Sequence, residues 1–357
     1  MKAALLGIEH PHSLAHLRTL QVLPEIDSIL LWDENASALA EARRAQGEKV
    51  EATFTDLGSL LAQDDLFFVI AALRNDLGPE IFIRVLEAGK HLMAEKPVGK
   101  TAADTARVIE VAARRGITLG VCYQNRHNPL IVQAREFVAQ GLLGPLISVE
   151  VRMLTTQVQF RNPQHWLFNK ALSGGGILSW LGCHYIDMIH FVTHDEIASV
   201  AAEVATRNGE DIDVEDIAAL SLRLKSGAIG SLHAGYTLAL SGGGYHNATG
   251  YDTYFGVNGQ LGRMYWSSSG KAGHLSVETT HPDWSGAPRR EFDFALAESP
   301  AYGGVYGETF IRDFIRAAKG EGTVPASGYD ALRVAQVIDA AYESDQIGRR
   351  VMVAAQS

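Results

Sequence analysis

The hydrophobic rhythm of the chain changes near residue 122, and this change is the strongest constraint on its fold. Before it, short apolar runs alternate with amphipathic helical stretches. Strands are predicted at Ala3 to Gly7, Ser28 to Asp33, Leu66 to Ala72, His91 to Ala94 and Ile117 to Cys122. These runs are apolar on both faces, as in a parallel, doubly wound α/β sheet covered by helices on both sides. Thr101 to Asp104 reads as a capping-box helix start, and Gly89 and Gly116 read as helix stops before strands. Beyond residue 145 the runs lengthen and alternate with period two: Leu146 to Leu154, Val200 to Thr206, Ala218 to Leu224, Ile229 to Tyr236, Thr253 to Val257 and Leu275 to Thr279. That pattern predicts an antiparallel sheet, with turns at Ser226-Gly227 and Asn258-Gly259 and closing helices near Glu308 to Lys319 and Tyr329 to Ser344. The Ser241 to Gly244 loop and the Ser267 to Gly270 stretch are flexible in composition but too short for interdomain linkers.

Composition narrows the possible partners. The 357 residues are 46% hydrophobic and 20% charged, enough for two cores. A net charge of -10 with no basic run disfavours nucleic acid and anionic membrane surfaces. Cys122 and Cys183 provide neither a disulfide framework nor a cysteine zinc site, which suits a reducing cytoplasm. The run from Met1 to Gly7 is too short for a signal peptide, and no apolar stretch reaches the length of a membrane span.

The first chemical signal is the turn Gly7-Ile8-Glu9-His10-Pro11-His12 after the first strand. A glycine-rich turn here lets the backbone approach a dinucleotide pyrophosphate at helix N-terminal amides. Only Gly7 remains of the G-x-G-x-x-G pattern. Glu9 and His12 occupy the other glycine places, and Pro11 lacks an amide hydrogen. His10 and His12 cap and shape the helix start on one reading; on another, H-x-H at a strand end supplies metal ligands. Asp33, 26 residues after Gly7, stands where an acidic residue accepts bonds from the adenosine ribose and repels a 2′-phosphate. This favours NAD over NADP in a Rossmann-type domain. Asp33 also suits an ordinary turn.

The segment Gly89-Lys90-His91-Leu92-Met93-Ala94-Glu95-Lys96-Pro97 resembles the hallmark G-K-h-V-x-x-E-K-P of the Gfo/Idh/MocA oxidoreductases. Tyr123-Gln124-Asn125-Arg126-His127-Asn128-Pro129 is similar to the family's Y-x-x-R-x-x-P. Tyr342-Glu343-Ser344 with Gly348-Arg349-Arg350-Val351 resembles its closing helix and strand. Ser173 to Asp187 resembles G-G-G-x-L-x-D-x-G-x-H-x-x-D. The resemblance implies a Rossmann domain over residues 1–122. Residues 123–357 would then form an α/β domain with a large, mainly antiparallel open sheet for substrate binding and oligomerisation, its terminal helices packing back on the first domain.

The resemblance also implies roles. Lys96 would hydrogen-bond the substrate hydroxyl and stabilise the developing oxyanion. His184 would exchange the hydroxyl proton, since imidazole titrates near neutrality, and Asp187 would orient it or bind substrate. The cofactor would meet Gly7, Ile8, Glu9, His10, His12, Asp33, Ala72, Leu73, Arg74, Glu95, Lys96 and Asn125. The substrate would meet Lys96, Arg126, His165, Trp166, Trp180 and His184. On a regular helix Trp180, His184 and Asp187 share one face. Two departures stand out: Trp180 replaces a usual aspartate with an apolar surface suited to stacking on a sugar, and Ala72-Leu73 replaces polar cofactor anchors, with Arg74 as a compensating phosphate contact. The expected activity is hydride transfer between NAD(H) and a hydroxyl or carbonyl carbon of a sugar, cyclitol or polyol, in a homodimer or homotetramer joined through the C-terminal sheet. A non-catalytic nucleotide- or sugar-binding regulator and a hydrolase using metal on His10 and His12 are the alternatives; no metal site is expected on the leading reading.

Overall fold

The computed structural model describes residues 1–45, 48–239, 250–269 and 271–354; the Ser241 to Gly244 loop and Gly270 lie outside the described residues. In chain order the first elements are β1 (Lys2–Leu6), α1 (Ser13–Val22), β2 (Ser28–Trp32), α2 (Ala36–Ala45), β3 (Val50–Phe54), α3 (Leu57–Leu61), β4 (Leu66–Ala71), α4 (Gly78–Glu87), β5 (His91–Ala94), α5 (Ala102–Arg115) and β6 (Leu119–Val121). There follow α6 (Pro129–Ala139), β7 (Leu146–Thr156), α7 (Lys170–Ser173), α8 (Cys183–Thr193), β8 (Ile197–Ala205), β9 (Ile217–Leu224), β10 (Ile229–Leu238), β11 (Tyr251–Gly259), β12 (Gly262–Ser267), β13 (His274–Thr279), β14 (Arg289–Asp293), α9 (Val305–Ala318), α10 (Gly328–Ile347) and β15 (Val351–Met352).

The chain divides into two compact units, Met1–His127 with Leu296–Leu332, and Asn128–Ala295 with Arg333–Ser357. Residues 296–332 thus join the first unit, because α9 buries Phe310, Ile311, Phe314 and Ile315 there, with Phe314 edge-on to Phe68 at 5.8 Å.

Among the described residues the first unit holds a parallel six-stranded sheet in the order β3-β2-β1-β4-β5-β6. Ala3 to Leu6 and Phe68 to Ala71 have no exposed surface, as the unbroken apolar runs required. Strand β3 escapes the periodicity argument: it is an edge strand in which Val50 alone is buried, and Glu51 and Thr53 interrupt its apolar residues. The order reverses between β1 and β4, and a doubly wound sheet opens a ligand crevice at the carboxyl ends of those two strands.

Among the described residues the second unit holds a nine-stranded sheet in the order β14-β13-β12-β11-β7-β10-β9-β8-β15. Every pairing is antiparallel except β7 with β10. The expected turn at Asn258-Gly259 sits further on: Asn258 still pairs with Arg263, and the chain reverses at Gln260 and Leu261.

The capping box at α5 is present in full. Thr101 Oγ1 accepts from the Asp104 amide at 3.1 Å, and Asp104 Oδ2 accepts from the Thr101 amide at 3.2 Å. Thr101→Ala should therefore lower unfolding stability by about 1 kcal/mol in urea titrations while leaving cofactor affinity unchanged.

Candidate active site

At the end of β1, Gly7 takes φ +83°, and a Cβ there would lie 2.1 Å from the carbonyl oxygen of Ala72. A side chain is thus excluded twice over, by backbone conformation and by the approach of the segment after β4. Asp33 Oδ2 accepts the Ile8 amide at 2.6 Å and Oδ1 accepts the Asn35 amide at 2.8 Å, which ties the end of β2 to the Gly7 turn. Glu9 is exposed and accepts from the Asn35 side chain at 2.8 Å, so its charge is turned along the β2 loop. Ala72 and Leu73 are buried. Arg74, expected to reach a phosphate, forms a two-pronged pair with Asp76 at 3.0 and 3.1 Å, because the nearer carboxylate matches its fork.

Glu95, expected to meet the cofactor, directly follows β5. Its carboxylate is enclosed: Oε1 lies 2.7 Å from His16 Nε2 and 3.1 Å from His12 Nδ1, and Oε2 accepts the Lys96 amide at 2.9 Å. Burial opposes its ionisation, but these donors hold the carboxyl well below the usual range. His12 is the residue before α1 yet caps it with no side-chain bond; the capping role falls to His10, whose Nδ1 accepts the His12 amide at 3.1 Å. The Tyr302 hydroxyl stands 3.1 Å from His12 Nδ1, and burial and the charge of Glu95 push its pKa well above 10. Burial drives the pKa of His10 well down and that of His12 down, so both stay neutral donors and acceptors.

His16, Glu95 and Cys122 bring possible ligand atoms within 4.8 Å of one another, the one such grouping among the described residues. Two features favour a hydrogen-bonded cluster over a metal site. The Glu95 contacts have hydrogen-bond lengths, and burial keeps the Cys122 thiol protonated. Among the described residues, that grouping includes neither His10 nor His12.

Lys96 follows, 1% exposed, before a cis bond to Pro97. In the helical turn Gln124 to His127, Asn125 is partly buried. Arg126, expected at the substrate, is 9% exposed and pairs with Asp330 at 3.2 Å, a carboxylate that also caps Ser327. Its guanidinium thus fastens the start of α10 within the first unit.

In the second unit, His165 Nδ1 accepts the Leu167 amide at 3.3 Å, and Trp166 lies beside His165 with ring centres 5.5 Å apart; both are partly exposed. Trp180 is 2% exposed, set in an apolar cluster with Met153, Leu167, Phe168, Val214 and Tyr236, its ring edge-on to Trp166 at 6.0 Å. A carboxylate at this place would be surrounded by hydrocarbon, so the tryptophan belongs to the core and offers no open stacking face. Nor do Trp180, His184 and Asp187 share one regular helical face: Leu178–Gly182 is a π-helical turn, and α8 begins after it with Cys183. His184 and Asp187 lie on α8 and are buried.

Several residues that sequence reasoning passed over complete these sites. His16 and Tyr302 join His12 around Glu95, and the i, i+4 spacing of His12 and His16 at a helix start was the available signal. Glu215 and Tyr342 hold the turn before α8 and had no local signal.

Two family models match the chain. One, described as an oxidoreductase family with an NAD-binding Rossmann fold, covers residues 2–123; the other, the GFO/IDH/MocA C-terminal domain, covers residues 131–265. The chain belongs to the GFO/IDH/MocA oxidoreductases. Among its relatives are levoglucosan dehydrogenase of Pseudarthrobacter phenanthrenivorans, 27% identical with 88% of this chain and 86% of that protein covered, and 1,5-anhydro-D-fructose reductase of Ensifer adhaerens, 25% identical with 84% and 83% covered. Inositol 2-dehydrogenase of Rhizobium meliloti is 24% identical over 90% of this chain and 92% of its own length. The solved structure of a levoglucosan dehydrogenase with NADH and levoglucosan superposes with a TM-score of 0.86 at 24% identity, covering 99% and 100% of the two chains, which shows a shared fold.

The buried histidines set a pH dependence. His10 and His12 gain protons in the unfolded chain below their ordinary value of 6.5 but resist them when folded, so the unfolded state binds more protons and stability falls as pH drops. The depressed carboxyl of Glu95 deepens the loss below its ordinary 4.5. Urea unfolding between about pH 7 and pH 5 should show this decline, with a shallower slope in His10→Gln.

Proposed function

We propose that the protein is an NAD(H)-dependent dehydrogenase acting on a hydroxyl-bearing carbon of a sugar, cyclitol or related polyol. The first unit would bind the cofactor and the second would supply the substrate-binding groups. The observation that carries the reading is Lys96, 1% exposed at the carboxyl end of β5, next to a carboxylate enclosed by two histidines. Lysine is almost never so buried without a charge or ligand to serve.

The residues present fit a dinucleotide. Gly7 keeps the turn after β1 free of a side chain, and Asp33, tied to the Ile8 amide, presents a fixed acceptor at the end of β2 where a ribose would sit. When bound, NAD supplies the hydride acceptor. Lys96 stabilises the alkoxide oxygen as charge develops, and His184 takes the hydroxyl proton or returns it in reduction. Asp187, one turn further along α8, supports His184. His165 and Trp166, both partly exposed, offer the aromatic surface for a sugar ring in place of Trp180.

Two finer points belong to the same reading. Ile229 stands exposed on β10 of the large sheet, on the same face as the exposed Ser231 and His233, which supports assembly of two or four copies through that face. The two free, buried cysteines fit a reducing compartment such as the cytoplasm.

Turnover of NAD with a panel of polyols tests the proposal; levoglucosan and 1,5-anhydro-sugars come first because relatives are named for them. Lys96→Ala should fold normally and lower kcat/KM by about 10²-fold or more; near-normal activity would remove Lys96 from the mechanism. In fluorescence titrations NADH should bind more tightly than NADPH because Asp33 repels a 2′-phosphate, and the reverse order would exclude that role for Asp33.

A further inference from the structure

We propose that Glu215, with Tyr342, is the positioning residue for His184, acting through the π turn at Leu178–Gly182. The inference rests on the reading of His184 as the proton-handling group.

Three successive amides open this helical segment, and one residue receives them all. The Gly176 amide donates to Glu215 Oε2 at 2.8 Å, the Ile177 amide to the Glu215 carbonyl at 3.1 Å, and the Leu178 amide to Glu215 Oε1 at 3.0 Å. Tyr342 Oη donates to the same Oε1 at 2.9 Å. The glycines are what permit this approach: a Cβ on Gly175 would lie 2.0 Å from the Tyr342 hydroxyl, and one on Gly176 would lie 2.0 Å from the Glu215 carbonyl oxygen. The neighbouring Asp216, with no exposed surface, accepts the Arg207 and Asn208 amides and so anchors the loop from its other side. A carboxylate here also faces the positive end of the helical dipole. Burial raises the Glu215 pKa, and the amides and Tyr342 hydroxyl oppose the rise.

The consequence is angular. A π turn holds one residue more than an α turn, and such turns persist where surrounding contacts hold them. If the clamp loosened and the turn relaxed to α geometry, the residues before it would rotate relative to α8 by about 100°, the increment of one residue. Because Trp180 is packed in the apolar cluster, α8 and His184 would have to move instead.

The test uses the full-length enzyme with NAD and a polyol that the parent oxidises. Glu215→Gln keeps the shape but replaces one amide-accepting oxygen with a donor; it should lower kcat about tenfold or more and displace the pH limb that disappears in His184→Asn. NADH affinity should stay within about twofold, since the cofactor-binding groups belong to the first unit. Tyr342→Phe, which removes a single donor, should do the same in smaller measure and decides the matter if Glu215→Gln fails to fold. A lower Tm with parental kcat and pH limb in the folded variants would overturn the proposal. Parental activity in His184→Asn would overturn the role of His184 itself, whereas an inactive His184→Asn beside unaltered clamp variants overturns the positioning role alone.

Discussion

Glu95 is a carboxylate removed from water, and a buried charge of this kind persists only where the protein supplies donors in place of solvent. His12, His16 and the Lys96 amide do so, and each bond also fixes a piece of chain: the entry and first turn of α1 against the end of β5, and the peptide that leads into Lys96. Losing one partner would leave a buried polar group unsatisfied, at a cost of about 1–3 kcal/mol. The buried Lys96 backbone, the helix start after the Gly7 turn and the seating of Tyr302 therefore depend on one another.

The second unit repeats the device with different residues. Glu215 is also enclosed and also receives both backbone and side-chain donors, and the amides it accepts belong to the segment that leads into the π turn and α8, the helix that carries His184. A carboxylate with several convergent acceptor sites can hold a turn that no apolar residue could hold, since it satisfies helix-start amides that would otherwise need water. On the proposed assignment, such anchors would limit the motion of Lys96 and His184 and leave both side chains to the substrate.

Much of the fold was legible because burial imposes periodicity. Strand β5 has the bounds read from its apolar run, and the capping box at Thr101 follows from residue chemistry at fixed spacing. Edge strands β3 and β14 were not legible, since half-exposed strands carry polar residues such as those of Arg289 to Asp293. Of the candidate site residues, Lys96 and His184 stood in local motifs. The partners of Glu95 and the Glu215 clamp are contacts across long sequence separations, which a local pattern does not encode. Trp180 and Arg126 show the converse: residue types suited to ligand contact lie in the apolar cluster and in the Asp330 pair, partners that a local pattern does not encode.

The most direct measurement is hydride transfer itself. Incubation of the protein and NAD with a polyol deuterated at its hydroxyl-bearing carbons should yield reduced cofactor carrying one deuterium by mass spectrometry, with the signal lost in Lys96→Ala and His184→Asn. Failure of the parent to label NAD with any polyol that protects it from unfolding would contradict the account.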